Sequence, residues 1–177
     1  MRVYGVTGWK NSGKTHLMVR LVEEMTRRGL TVSTVKHAHH ATDVDHPGRD
    51  SFRHREAGAR EVIVASPGRW AVMHELRGNA EPTLAELLTK LSPADLVLIE
   101  GYKREGHPKI EAHRAETGRP LIAPGNPSIR AVASDTTPGG LDRPLFDLDD
   151  TAGITDFILR EVGLPTAQDR RESGQDE

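Results

Sequence analysis

Residues 8–15 read GWKNSGKT, the spacing G-x-x-x-x-G-K-T of a phosphate-binding loop. Gly8 and Gly13 allow backbone conformations that a β-carbon would block, so successive N–H groups can turn inward. Those donors, with the positive end of the helix that follows, make a cradle for a di- or triphosphate. Trp9, Lys10, Asn11, Ser12 and His16 supply its remaining wall. Lys14 can reach the β- and γ-phosphates, and the Thr15 hydroxyl can take one position on Mg²⁺.

Such a loop needs an acid near the metal, usually at the end of a buried strand. Glu100 closes the apolar run LVLI at residues 96–99 and is the first candidate, as metal ligand or as the group orienting water. A buried carboxylate without a partner costs several kcal/mol, which a metal, water or base role would offset. Asp43 and Asp45 lie in a polar loop after the second predicted strand, where nucleotide switches place a second metal contact. Asp45 is therefore a second candidate for metal and catalysis, against the simpler reading of a turn aspartate ahead of Pro47-Gly48. His37, His39, His40 and His46 suggest Ni²⁺ or Zn²⁺, but their spacing fits no standard zinc pattern. Asp135, after the apolar residues 129–133, can accept from a guanine ring N–H and amino group; it can equally be a turn carboxylate.

Strands must deliver these residues to one edge. Residues 2–7 (RVYGVT) predict a strand into the loop, and residues 16–28 a helix with apolar positions 17, 18, 21, 22 and 25, stopped at Gly29. Strands are predicted at 30–36, 95–100, 108–113, 128–134 and 145–148. Helices are predicted at 51–58, 83–91 (Thr83 cap, Glu86 three residues on) and from an Asp149 or Asp150 cap to Val162. Residues 61–66 and 69–76, joined by Pro67-Gly68, predict a hairpin. Alternating strands and helices imply an α/β fold, a mostly parallel twisted sheet flanked by helices, with a β-hairpin insertion. Ligands of such sheets bind at the carboxyl ends of the strands, where Thr7, Lys36 and Glu100 converge.

The 177 residues suit one domain, expected to span 1–163, followed by a polar tail at 164–177 expected to be disordered. With 24 basic and 26 acidic side chains, the net charge of −2 points to neither nucleic acid nor membrane surface. The absence of cysteine excludes disulfides, thiol catalysis and Cys-ligated zinc. No apolar stretch approaches the ~20 residues that span a bilayer. A leader peptide is not expected, because the first strand starts at residue 2, so a cytoplasmic location is the expectation.

The combination of GWKNSGKT, VKHAHHATDVDHPGRDS, EAGA with VIVASPGRWAVM, LVLIEGYK and AVASD resembles the MobB family, the B proteins of molybdopterin-guanine dinucleotide biosynthesis. The matching segments run from residue 5 to about 135, and the His/Asp stretch is more specific than the phosphate loop alone. The resemblance implies a P-loop fold of the signal-recognition/MinD-like class, often dimeric, with GTP binding and weak hydrolysis. It also implies an accessory role beside a molybdopterin guanylyltransferase of the MobA type. By position, the family's phosphate loop falls on residues 8–15, its acid on Glu100 and its second loop on residues 37–51. Many proteins of that class carry a lysine directly after the first loop glycine. Here that place holds Trp9, with Lys10 one later, which argues against a lysine reaching across a dimer.

The leading expectation is a GTP-binding adaptor with slow hydrolysis, since no Gln or Arg finger stands beside the loop. Arg49 or Arg53 could arrive by loop closure. The alternatives are a small-molecule kinase using ATP with Glu100 as base, a nickel or zinc metallochaperone-type GTPase, and a non-hydrolysing binding module.

Overall fold

A computed structural model describes residues 1–38 and 45–169, and the chain divides into two compact units. The first comprises residues 1–37 with the chain from 93 onward; the second comprises residues 38–92.

The first unit is a six-stranded, wholly parallel sheet. Its strands are β1 (Arg2–Thr7), β2 (Val32–Lys36), β5 (Leu96–Glu100), β6 (Lys109–His113), β7 (Ile129–Ser134) and β8 (Leu145–Asp147), with β3 (Glu61–Ser66) and β4 (Arg69–His74) in the second unit. The order across the sheet is β2-β5-β1-β6-β7-β8. β1 therefore has β5 on one flank and β6 on the other, with Val6 opposite Glu100 and Thr7 opposite Glu111. β5 is buried at every position, as a continuous apolar run predicts for a central parallel strand.

Helices α1 (Lys14–Arg27) and α4 (Thr151–Glu161) pack on one face. The helical spacing of Leu17, Leu21 and Met25 puts them with Ile154 and Ile158 against Tyr4, Val6, Leu96 and Leu98. Each large side chain so buried contributes about 1.5–3 kcal/mol. Because strand side chains alternate, Val132 points to the other face, where it packs with Ala123 and Ile129 under Leu121 and Leu145. There the Glu111 carboxylate, fully buried in β6, accepts from the amides of Ile122 (2.9 Å) and Ala123 (2.8 Å), and its burial raises its pKa.

Element boundaries follow local chemistry. α1 begins at Lys14, two residues before the predicted start, because Gly13 at φ 90° is the residue that turns the chain into the helix. β2 begins at Val32 rather than residue 30, since the Thr31 amide and hydroxyl are taken by Asp95 Oδ2, both at 2.7 Å. α4 is capped by Asp150, whose Oδ1 accepts from the Gly153 amide at 2.9 Å. Residues 164–169, expected within a disordered tail, are held: Thr166 is 5% exposed and its amide donates to Asp169 Oδ2 at 2.7 Å. Residues 170–177 lie outside the described residues.

The second unit holds α2 (Asp50–Glu56), the antiparallel hairpin β3 (Glu61–Ser66) and β4 (Arg69–His74), and α3 (Leu84–Leu88). Thr83 and Glu86 form the predicted capping box. Ile63 stands opposite Val72 and Ala65 opposite Trp70 in the hairpin; Ile63, Val72 and Trp70 are all exposed. No helix among the described residues is long and apolar enough to cross a membrane.

Candidate functional site

The turn from β1 into α1 places the phosphate loop at the carboxyl edge of the sheet. Three of its residues take positive φ: Gly8 (142°), Asn11 (65°) and Gly13 (90°). A β-carbon on Gly8 would lie 2.3 Å from the Ala112 carbonyl oxygen and 2.5 Å from Ser12 Oγ, so only glycine fits there. No side chain caps α1, which leaves its first-turn amides directed into the loop. Ser12 Oγ and Thr7 Oγ1 are buried beneath it without a hydrogen-bond partner among the described residues. Lys14 Nζ donates back to the Trp9 carbonyl at 2.5 Å. Burial lowers the Lys14 pKa, opposed by Glu100.

Glu100 comes to the loop from β5. The Thr15 hydroxyl donates to Glu100 Oε1 at 3.1 Å, and Lys36 Nζ, at the end of β2, lies 3.5 Å from the same oxygen. The predicted convergence of the ends of β1, β2 and β5 is thus realised, with Glu100 only 9% exposed. Gly101 follows at φ 98°, where an added β-carbon would stand 3.2 Å from His37 Cβ. Two hard oxygen donors 3.1 Å apart suit adjacent positions on octahedral Mg²⁺, whose ligands at about 2.0–2.1 Å stand about 2.9 Å from one another.

On the other flank of β1, a cleft of about 410 Å³ is lined by residues 11–16 of the loop, His16 included, with Arg114 and Glu116 from the turn after β6. A second opening shares Asn11 and Glu116 and is lined by Trp9, Lys10, Thr117 and Arg119. Trp9 is fixed by its Nε1 donating to the Pro120 carbonyl at 2.7 Å and by Lys103 Nζ, 4.3 Å from the ring centroid. Arg114 and Glu116 escape sequence reasoning: two charged residues in a short turn carry no pattern, and only the pairing of β6 with β1 brings them here. Asp135 stands nearby, but its Oδ1 accepts from the Ala115 amide at 2.9 Å and so holds that turn. Neighbouring His113 shares a buried hydrogen bond with Ser134 Oγ at 2.9 Å.

Asp45 belongs to the second unit. Its Oδ1 accepts from the His46 amide (2.9 Å) and the Ser51 hydroxyl (3.1 Å), and its Oδ2 lies 3.5 Å from Arg55 Nε. These are the bonds of a turn carboxylate that ties its loop to Ser51 and Arg55 of α2. Asp43, His39 and His40 lie outside the described residues. Among the described residues no three His, Cys, Asp or Glu side chains are grouped to hold a metal ion.

The family model described as molybdopterin guanine dinucleotide synthesis protein B matches residues 3–135. The chain is 41% identical over 154 residues to an Escherichia coli (strain K12) protein named molybdopterin-guanine dinucleotide biosynthesis adapter protein, covering 85% of this chain and 87% of that one. It is also 41% identical over 157 residues to the Haemophilus influenzae protein of the same name, covering 87% and 85%. Among solved structures, a MobB protein homolog from Bacillus stearothermophilus superposes with a TM-score of 0.68 at 31% identity, covering 92% of this chain and 99% of that one. The Bacillus subtilis MobB structure, at 24% identity and a TM-score of 0.72 over 92% and 98%, shares the fold.

Proposed function

The chain belongs to the family of molybdopterin guanine dinucleotide synthesis protein B, and from that premise we propose a GTP-binding adapter with slow hydrolysis that serves a molybdopterin guanylyltransferase. Its place in molybdopterin-guanine dinucleotide biosynthesis follows from the family. The reading of a Mg²⁺–triphosphate site rests chiefly on one observation: the Thr15 hydroxyl and the Glu100 carboxylate meet at 3.1 Å beside an uncapped helix N-terminus, while the choice of GTP over ATP rests on the family resemblance.

In this reading the first-turn amides of α1 and Lys14 bind the triphosphate, Lys14 exchanging the Trp9 carbonyl for a phosphate oxygen. Thr15 and Glu100 would hold Mg²⁺, which supplies charge neutralisation at the β- and γ-phosphate oxygens. Lys36, with its Nζ 3.5 Å from Glu100 Oε1, orients that carboxylate. The chain's glutamines are Gln168 and Gln175, far along the sequence from the loop, which supports slow turnover. The signal-recognition/MinD-like class and a homodimer complete the proposal; the exposed Ile63, Val72 and Trp70 offer apolar surface for assembly.

Calorimetric titration with GTP and ATP, with and without Mg²⁺, and then with a molybdopterin guanylyltransferase present, tests it. GTP preference and complex formation are expected. ATP preference with stoichiometric transfer to a small acceptor would overturn the reading in favour of a kinase.

A further inference from the structure

Strand order gives the phosphate loop two chemically different flanks. On the β5 side stand Glu100 and Lys36, the residues suited to a metal and the terminal phosphates. On the β6 side stand Arg114 and Glu116, lining the same cleft as residues 11–16.

Arg114 is pressed against the loop backbone: its Nε lies 3.0 Å from where a β-carbon on Gly13 would stand. Among the described residues its guanidinium has no hydrogen bond or ion pair. Its field reaches Asp149, whose carboxylate is already bound by Arg20. A free planar cation beside helix-start amides is suited to bidentate binding of phosphate. The turn that carries it is tied by two hydrogen bonds. Asp135 holds the Ala115 amide at 2.9 Å, and the Thr117 hydroxyl returns to the Arg114 carbonyl at 2.8 Å. Glu116 is the anomaly, since a carboxylate lining an anion cleft repels phosphate. Its chemistry there is that of an acceptor for neutral donors, and the ribose diol adjoining the α-phosphate supplies two.

We infer that the turn after β6 forms the nucleoside end of the site, Arg114 holding the α-phosphate and Glu116 accepting hydrogen bonds from the ribose hydroxyls. This deepens the nucleotide reading above and rests on it.

The test compares dissociation constants for GTP, 2′,3′-dideoxy-GTP and inorganic tripolyphosphate in wild type, Arg114→Ala, Arg114→Lys, Glu116→Gln and Lys14→Ala, with thermal unfolding as the check on folding. Arg114→Ala is expected to weaken GTP and tripolyphosphate about tenfold, as for one charge-assisted hydrogen bond, and Arg114→Lys to recover part of that. Glu116→Gln is expected to weaken GTP several-fold while tripolyphosphate binds as well or better. That is opposite to the effect on GTP of simply removing a negative charge. The loss should vanish when dideoxy-GTP is the probe. Tighter binding of GTP and tripolyphosphate alike in Glu116→Gln would overturn the ribose contact, and wild-type affinities in both Arg114 variants would overturn the phosphate contact. In either case weakened binding by Lys14→Ala would leave the nucleotide reading standing. A wild-type protein that binds none of the three probes refutes that reading, and this inference with it.

Discussion

Alanine at Gly8 adds one carbon where the fold has no room for it. The new atom would stand 2.3 Å from the Ala112 carbonyl oxygen and 2.5 Å from Ser12 Oγ. Ser12 could rotate. Ala112 could not, because its backbone lies in β6, one residue beyond the Thr7–Glu111 pairing with β1. Accommodation therefore means moving the loop away from the sheet. A side chain at φ 142° adds strain. Overpacking costs about 1–3 kcal/mol and a φ essentially reserved for glycine about 1–3 kcal/mol, so Gly8→Ala should lose about 2–6 kcal/mol. Gly118→Ala is the control: its φ is 59°, but nothing lies within 4 Å of the added carbon. It should lose about 1–2 kcal/mol, the strain alone. Urea unfolding of both variants measures the difference, and GTP titration shows whether displacement of the loop abolishes binding. Equal losses in the two variants, or wild-type GTP affinity in a destabilised Gly8→Ala, would refute the argument that close packing against β6 shapes the phosphate cradle.

Lys14→Ala should weaken triphosphate affinity about tenfold or more, the worth of one charge-assisted contact; unchanged affinity by calorimetry would remove the lysine from the site. Glu100→Gln should shrink the gain in GTP affinity that Mg²⁺ brings, and an undiminished gain would show that the metal is held elsewhere. Burial depresses the His107 pKa from 6.5 to about 4. Between those values the unfolded chain takes up a proton that the folded chain refuses. Stability is therefore full above pH 6.5 and falls as the pH drops toward 4, by about 1–3 kcal/mol once partial exposure is allowed for. His107→Gln should flatten urea-unfolding free energy across that window, and superimposable pH profiles for the two proteins would disprove the assignment.

The phosphate half of the site could be read from the chain because its chemistry is local. Gly8, Lys14 and Thr15 sit within one turn, and Glu100 betrays itself as an acid ending an apolar run. The central strands and the Thr83–Glu86 cap are equally local, set by burial and short-range hydrogen bonds. What escaped depends on strand order. Arg114 and Glu116 gain meaning only because β6 lies beside β1, and no pattern at residues 114–116 announces that neighbour. Buried Lys109 and Glu111 were hidden for a related reason. Charged residues in a strand read as solvent-facing, yet Lys109 Nζ donates to Ser128 Oγ at 2.9 Å and Glu111 binds the amides of the turn at 122–123. Asp135 was readable as a strand-end acid, but its hydrogen bond to the Ala115 amide depends on a turn twenty residues earlier in the chain.

The two tryptophans divide the protein's intrinsic fluorescence between its two units. Trp70 is 69% exposed on the hairpin, so its emission is red-shifted and open to collisional quenchers. Trp9 lies inside the phosphate loop, tethered to Pro120 with an ammonium 4.3 Å from its ring centre. A Trp70→Phe protein therefore retains one tryptophan, situated where a phosphate would disturb Lys103 and the loop carbonyl, and ligand arrival becomes an optical signal, read with excitation beyond the tyrosine band, that needs no added dye.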